Sequence, residues 1–259
     1  MDFSVRGRLS PRSDQFIGGA GIASLLAIWC IVTYFGLVRA VFLPKPSAIW
    51  RGLVDFQQRG WLLPGIWRSF WRVTRSLMLV VVIGIPIGVL MGAFAPVDAF
   101  LRKIVNGAKS IPTTGIIGLI VLWFSIEEKA KIVFLFLGSI FYMIILVKNA
   151  ILSVSEDYVR VAIDLGASRW QVIQRVLVPG ALPQIWEAIA VCNGIMWTYI
   201  VLAEFINSNE RQLGLGYLLF IGSRTQESGE VYATLLVIAT VSVLTDFVLQ
   251  FVGKRYLDW

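Results

Sequence analysis

At 259 residues, with 57% hydrophobic side chains, 15% charged ones and a mean hydropathy of +0.76, the chain has too little polar surface to clothe a water-soluble globule. The absence of histidine excludes histidine-based acid–base chemistry and histidine-ligated metal, and no metal site is expected. The net charge of +7 suits anionic lipid headgroups or an anionic solute; with no basic stripe beyond the membrane flanks, nucleic acid is not an expected partner.

Residues 1–15, with Arg6, Arg8 and Arg12, precede a first apolar run over 16–36. That run is too long for a secretory signal and lacks a small-x-small cleavage site before Leu43, so it reads as a membrane helix. Residues 37–69 form an outer segment. Within it Ile49, Leu53, Val54 and Phe56 interleave with Lys45, Arg51, Asp55 and Arg59, as in a helix lying on the membrane surface.

A core over 70–255 follows, with apolar runs at 76–94, 111–124, 132–147, 185–202 and 231–252. Most approach the roughly 20 residues that carry a helix across the hydrocarbon. The expected fold is therefore an all-α membrane protein with six transmembrane helices. The third run is the shortest and has Pro112 at its start, so its helix is expected to begin near Gly107. Cys30 and Cys192 fall inside spans, as small apolar residues rather than a disulfide framework.

Gly84, Gly88 and Gly92 recur on one face of the second span, where they permit close approach of another helix. Arg68, Arg72 and Arg75 share a helical face near its start, beside Trp67 and Trp71; they read as interface anchors or as an outer funnel for an anion. Lys148 and Asp246 sit at similar depth near the inner ends of the fourth and last spans and are expected to pair. Polar groups that lipid would not tolerate, Ser110, Thr113, Thr114, Asn193, Thr198, Glu204 and Asn207, are the candidates for a solute path; each threonine hydroxyl could equally bond its own helix backbone.

Between the fourth and fifth spans lies the polar stretch 153–184. Ser153 with Glu156, and Ser168 with Gln171, have capping-box spacing; Gly166 is placed to stop the first short helix and Pro179 to close the second. About half of the 23 basic residues would face inside if the amino terminus is inside, so charge alone does not fix the orientation. The reading with this stretch inside rests on its length and polarity.

The stretch resembles the cytoplasmic signature of permeases of binding-protein-dependent ATP-binding-cassette importers, which runs Glu-Ala-Ala, three residues, Gly, nine residues, Ile-x-Leu-Pro. Here Arg160-Val161-Ala162, Gly166 and Val176-Leu177-Val178-Pro179 keep the spacing, while the opening acid and one alanine are replaced. Gly84-Ile85-Pro86-Ile87-Gly88, Trp123-Phe124 and Pro179-Gly180-Ala181-Leu182-Pro183 extend the likeness. Leu43-Pro44-Lys45-Pro46-Ser47 and Gly214-Leu215-Gly216 are similar to the subgroup that imports nitrate, sulfonates, taurine or bicarbonate, although Thr113 and Thr114 stand where that subgroup often has proline and an apolar residue.

The resemblance implies a bacterial inner-membrane permease that moves a small solute, such as nitrate, bicarbonate or a sulfonate, by alternating access. The subgroup favours a small oxyanion or sulfonate but also moves neutral or cationic vitamin-like compounds. The resemblance further implies a cytoplasmic coupling helix that docks on an ATPase through Arg160, Asp164, Gly166, Ala167, Ser168, Arg169 and Trp170. It also implies as partners an ATPase dimer, a periplasmic or lipid-anchored binding protein and a second permease copy. The chain has no G-x-x-x-x-G-K-[ST] sequence, so no cofactor is expected in it and ATP with magnesium belongs to the ATPase. An ion-gradient-driven transporter would need intramembrane acid clusters or interrupted inverted repeats, and a membrane enzyme a catalytic constellation; the sequence offers neither.

Overall fold

The computed structural model describes residues 10–205 and 213–257, and every regular element among them is helical. Helix α1 (Pro11–Tyr34) is capped by Ser10, whose Oγ accepts from the Ser13 N–H at 3.2 Å. Among the side chains described in it, only Thr33 is buried. Its apolar surface therefore needs lipid or another chain. The short α2 (Pro46–Gln58) buries Ile49, Gly52 and Phe56 and packs against the start of the last helix, as expected for an amphipathic surface helix.

Helix α3 (Leu62–Ala93) and α6 (Glu128–Leu152) form the most extensive helix pair. The glycines of α3 explain it. A Cβ on Gly88 would lie 2.7 Å from Val147 Cβ and 2.9 Å from the Ile144 carbonyl oxygen, and one on Gly92 would lie 2.7 Å from Ile151 Cβ. With no apolar effect separating helices from lipid, such backbone-to-side-chain packing is a main source of helix association in a membrane. Val80, Met91, Leu135, Met143, Val147 and Ile151 fill the seam, and Ala181, Ile185, Cys192, Met196 and Ile200 of α9 (Val178–Phe205) close over it.

Among the described residues, five helices are long and apolar enough to cross a membrane: the 16–34 part of α1, α3, α6, the run Arg169–Phe205 and Ser228–Arg255. The sixth span is broken. Helix α4 (Ala95–Lys109) ends, residues 110–112 are irregular, and a 3₁₀ turn (Thr113–Ile116) leads into α5 (Ile117–Phe124), with an 82° bend between the halves. Gly107 therefore lies in the last turn of a separate helix and does not start the third span. Pro112 cannot donate to residue 108, which helps to fix the break there.

The expected pairing of Lys148 with Asp246 is not formed. Lys148 Nζ lies 2.6 Å from Asp98 Oδ1, and Arg102 also pairs with Asp98. Asp246 instead accepts from Gln250 Nε2, one turn along its own helix, at 2.7 Å. The reason is lateral order. Helix α4 packs on α3 and α6 and carries Asp98 to Lys148, whereas α11 (Ser228–Leu257) packs mainly on α2, α9 and α10 (Leu215–Arg224).

Candidate functional site

The loop end of the bundle is built from a sequence of caps. Ser153 closes α6, its N–H donating to Asn149 O at 3.0 Å and its Oγ to Ala150 O at 2.7 Å. Ser155, not Ser153, caps α7 (Glu156–Asp164), accepting from the Asp157 N–H at 3.3 Å. Ser153 is already committed to the preceding helix. Arg160, in place of the usual acid, pairs with Glu156 one turn earlier at 2.9 Å, with both groups exposed.

Gly166 stops α7 as its position predicts. Its φ of +84° lets the Gly166 N–H reach Ile163 O at 2.8 Å and the Ala167 N–H reach Ala162 O at 3.0 Å, the two bonds of a Schellman cap. A reciprocal capping box at Ser168 then starts α8 (Arg169–Val172): the Gln171 N–H donates to Ser168 Oγ at 3.4 Å and the Ser168 N–H to Gln171 Oε1 at 2.8 Å.

The expected stop at Pro179 does not occur. The chain passes through a π turn (Ile173–Leu177) into α9 (Val178–Phe205), so Arg169–Phe205 is one helical run of 37 residues. A wider turn just before Pro179 relaxes the ladder where proline has no N–H to give and its ring crowds the preceding turn. Above this run, Tyr158, Val161, Ile163, Leu165 and Trp170 are exposed, Leu165 at 83%. A recess of about 990 Å³ opens between α7 and the start of α9, lined by Tyr158, Val161, Leu165, Arg175 and Pro179 among others. Apolar side chains in this number at a polar loop mark a contact surface.

At the opposite end, four elements meet on a buried charge. Glu204 of α9 is 1% exposed and accepts from Arg72 Nη1 at 2.6 Å, from Ser69 Oγ at 2.8 Å and from the Gly216 N–H at 2.8 Å. Arg72, 2% exposed, also donates through Nε to Glu128 Oε2 at 2.7 Å, and Ser69 Oγ accepts from the Leu215 N–H at 2.9 Å. Side chains at 214 and 216 would collide with this cluster, which accounts for the Gly214-Leu215-Gly216 motif.

These contacts revise two expectations. Arg72 is internal, held by two carboxylates, and cannot belong to an outer funnel; Arg68 and Arg75 are exposed. Glu204 is fully engaged by donors of its own chain and not presented to a passing solute. Burial of Arg72 was not evident from its tryptophan neighbours, which equally suit a lipid interface.

The remaining path candidates are dispersed. Asn193 is buried and ties α9 to α11 through Nδ2 to Thr245 Oγ1 at 3.1 Å, while Thr198 bonds its own backbone at Gly194 O, 3.2 Å away. Ser110 donates to Asn106 O at 3.0 Å. Thr113 is half-buried and Thr114 exposed. Asn207 lies outside the described residues. Ser110 and Thr113 do come together, in a recess at the break of the third span that also includes Tyr142 and Tyr199, two residues the sequence did not single out.

A bundle of this kind, glycine-packed, broken at one span and bearing a capped and exposed helical loop, defines a multi-pass membrane transport subunit. Residues 84–258 match the family described as the binding-protein-dependent transport system inner membrane component, and the chain belongs to that family. It is 30% identical over 255 residues to the taurine transport system permease protein TauC of Escherichia coli (strain K12), covering 96% of this chain and 92% of the relative. To the putative aliphatic sulfonates transport permease protein SsuC of Bacillus subtilis (strain 168) it is 29% identical, covering 92% and 85%. The fold is shared with an inward-facing structure of the MetNI methionine ABC transporter, at a TM-score of 0.64 and 23% identity over 78% of this chain and 96% of that one. The chain is thus a permease subunit of an ATP-binding-cassette importer.

Proposed function

We propose that two copies of this chain form the membrane path of an inner-membrane importer for a small anion, of the sulfonate or bicarbonate kind. The 153–184 stretch faces the cytoplasm and an ATPase dimer that holds ATP and magnesium; a binding protein delivers solute at the opposite face. The observation that carries this reading is the single helical run from Arg169 to Phe205. A displacement applied at Arg169 and Trp170 by a closing ATPase travels along one continuous helical run of about 55 Å, at 1.5 Å per residue, to the Glu204 cluster. The exposed Tyr158, Leu165 and Trp170 supply apolar anchors for docking, and Ala167 and Ser168 allow close approach. Asp164 and Arg169 give that surface charges of both signs. Relatives named for taurine and aliphatic sulfonates favour an anionic head group.

Gly166→Trp tests the docking. Apart from its chain neighbours, no described residue lies within 4 Å of a Cβ built there, so a side chain at this position starts in open space. The φ of +84° is strained by any side chain, and Gly166→Ala controls for that. The reading expects Gly166→Trp to lose the ATPase in co-purification while Gly166→Ala retains it. Equal retention by both would remove the docking assignment.

A further inference from the structure

The break in the third span encloses a recess of about 160 Å³, lined by Lys109, Ser110, Thr113, Gly138, Tyr142 and Tyr199 among others. We propose that this recess is a binding site for the oxyanion head of the transported solute, held midway through the membrane by the Lys109 ammonium and the hydroxyls of Thr113, Tyr142 and Tyr199. The proposal rests on the importer reading and adds to it a place, a charge and a size.

Depth comes first. Gly138 and Tyr142 lie at the middle of α6, which spans Glu128–Leu152, so the recess opens near the centre of the hydrocarbon. Irregular backbone at that depth is tolerated where it is covered by protein or lines an aqueous cavity. Residues 110–112 are such backbone, and broken helices near the bilayer midplane recur in transporters as binding elements.

The chemistry of the lining is one-signed. It includes a lysine and four hydroxyls and no carboxylate. Lys109 makes no ion pair among the described residues, and a charged group at membrane depth without a counter-charge is a binding hypothesis in itself. Nor do the hydroxyls of Thr113, Tyr142 and Tyr199 hydrogen-bond to protein among the described residues, leaving three donors free. Hydroxyl donors and a cation converging without a carboxylate suit an anion.

Size agrees. At ~30 Å³ per water the recess holds about five waters, or a small oxyanion head with a short tail. Gly138 sets its floor. A Cβ there would lie 3.0 Å from the Tyr199 ring, so glycine is what lets this ring close over the site.

The test uses the full chain in nanodiscs, with Cys30 and Cys192 both replaced by alanine and a single Ser110→Cys or Thr113→Cys introduced. Each thiol is reacted with an anionic reagent, methanethiosulfonate ethylsulfonate, and with its trimethylammonium counterpart, each rate being divided by that reagent's rate with a free thiol. Any effect of Lys109 on thiol acidity cancels in the ratio. The site predicts a roughly tenfold preference for the anion, as expected of focused charge, largely lost in Lys109→Gln, and slowed labelling in the presence of ethanesulfonate but not choline. The second cysteine position covers failure of the first to fold. No labelling at either position, equal normalised rates, or a preference that survives Lys109→Gln would each overturn it. ATP-driven uptake by the assembled complex is measured separately. Intact uptake with any of those three results refutes the site and leaves the importer reading standing.

Discussion

Removing Arg72 isolates a buried carboxylate. In Arg72→Met, Glu204 keeps the Ser69 hydroxyl and the Gly216 N–H but loses its hydrogen-bonded ion-pair partner, at 1% exposure. Breaking a buried pair from one side costs about 3–5 kcal/mol, because the surviving charge has neither water nor its counter-charge. Replacing both members by apolar groups of similar shape removes the charge as well as its partner, so Arg72→Met with Glu204→Leu recovers a large part of that loss. The assay is equilibrium unfolding in mixed detergent micelles followed by helical circular dichroism. Glu128 is half-exposed and can turn to water, so it contributes little to the penalty. A single-variant cost below about 1 kcal/mol, or a double variant no better than Arg72→Met alone, would refute the assignment of this cluster as the bolt that joins α3, α9 and α10.

The same assay reads three further variants. Gly88→Val forces α3 away from Val147 and the Ile144 carbonyl and should cost several kcal/mol or abolish folding, whereas Gly107→Val, with nothing within 4 Å, should be mild. Asp98→Asn leaves Lys148 without its carboxylate and should cost about 1–3 kcal/mol, while Asp246→Asn stays within about 0.5 kcal/mol. Lys131 is 1% exposed and its Nζ has no hydrogen-bond partner among the described residues, so Lys131→Met should be neutral or stabilising; a loss above about 2 kcal/mol would show a partner in the membrane-bound state.

Local rules carried the sequence reading wherever the outcome depended on neighbours in the chain. Gly166 and the Ser168–Gln171 box are set by backbone within a few residues, and both caps form as their spacing indicates. The Gly84, Gly88 and Gly92 face announced a close helix crossing without naming α6 as the partner. Three features failed for lack of lateral information. The periodicity of Arg68, Arg72 and Arg75 gives a shared stripe but not how it divides between protein and solvent. Depth matched Lys148 to Asp246, whereas helix order gave it Asp98. Ser153 and Ser155 both precede acids, and only the end of α6 decides which of them is free to cap. Pro179 reads as a stop because proline ends an ordinary helix; a π turn just upstream lets this one continue. The recess at Tyr142 and Tyr199 needs the 82° bend, which no local signal specifies.

The most direct test of the importer account is solute uptake into proteoliposomes holding this chain with its ATPase and binding protein. Taurine, an alkanesulfonate, nitrate and bicarbonate are offered in turn, with ATP or a nonhydrolysable analogue enclosed. The account predicts uptake of at least one of these that requires hydrolysable ATP and the loaded binding protein, and that is lost in Gly166→Trp. Uptake by the chain alone, driven by an ion gradient and indifferent to ATP, would contradict it.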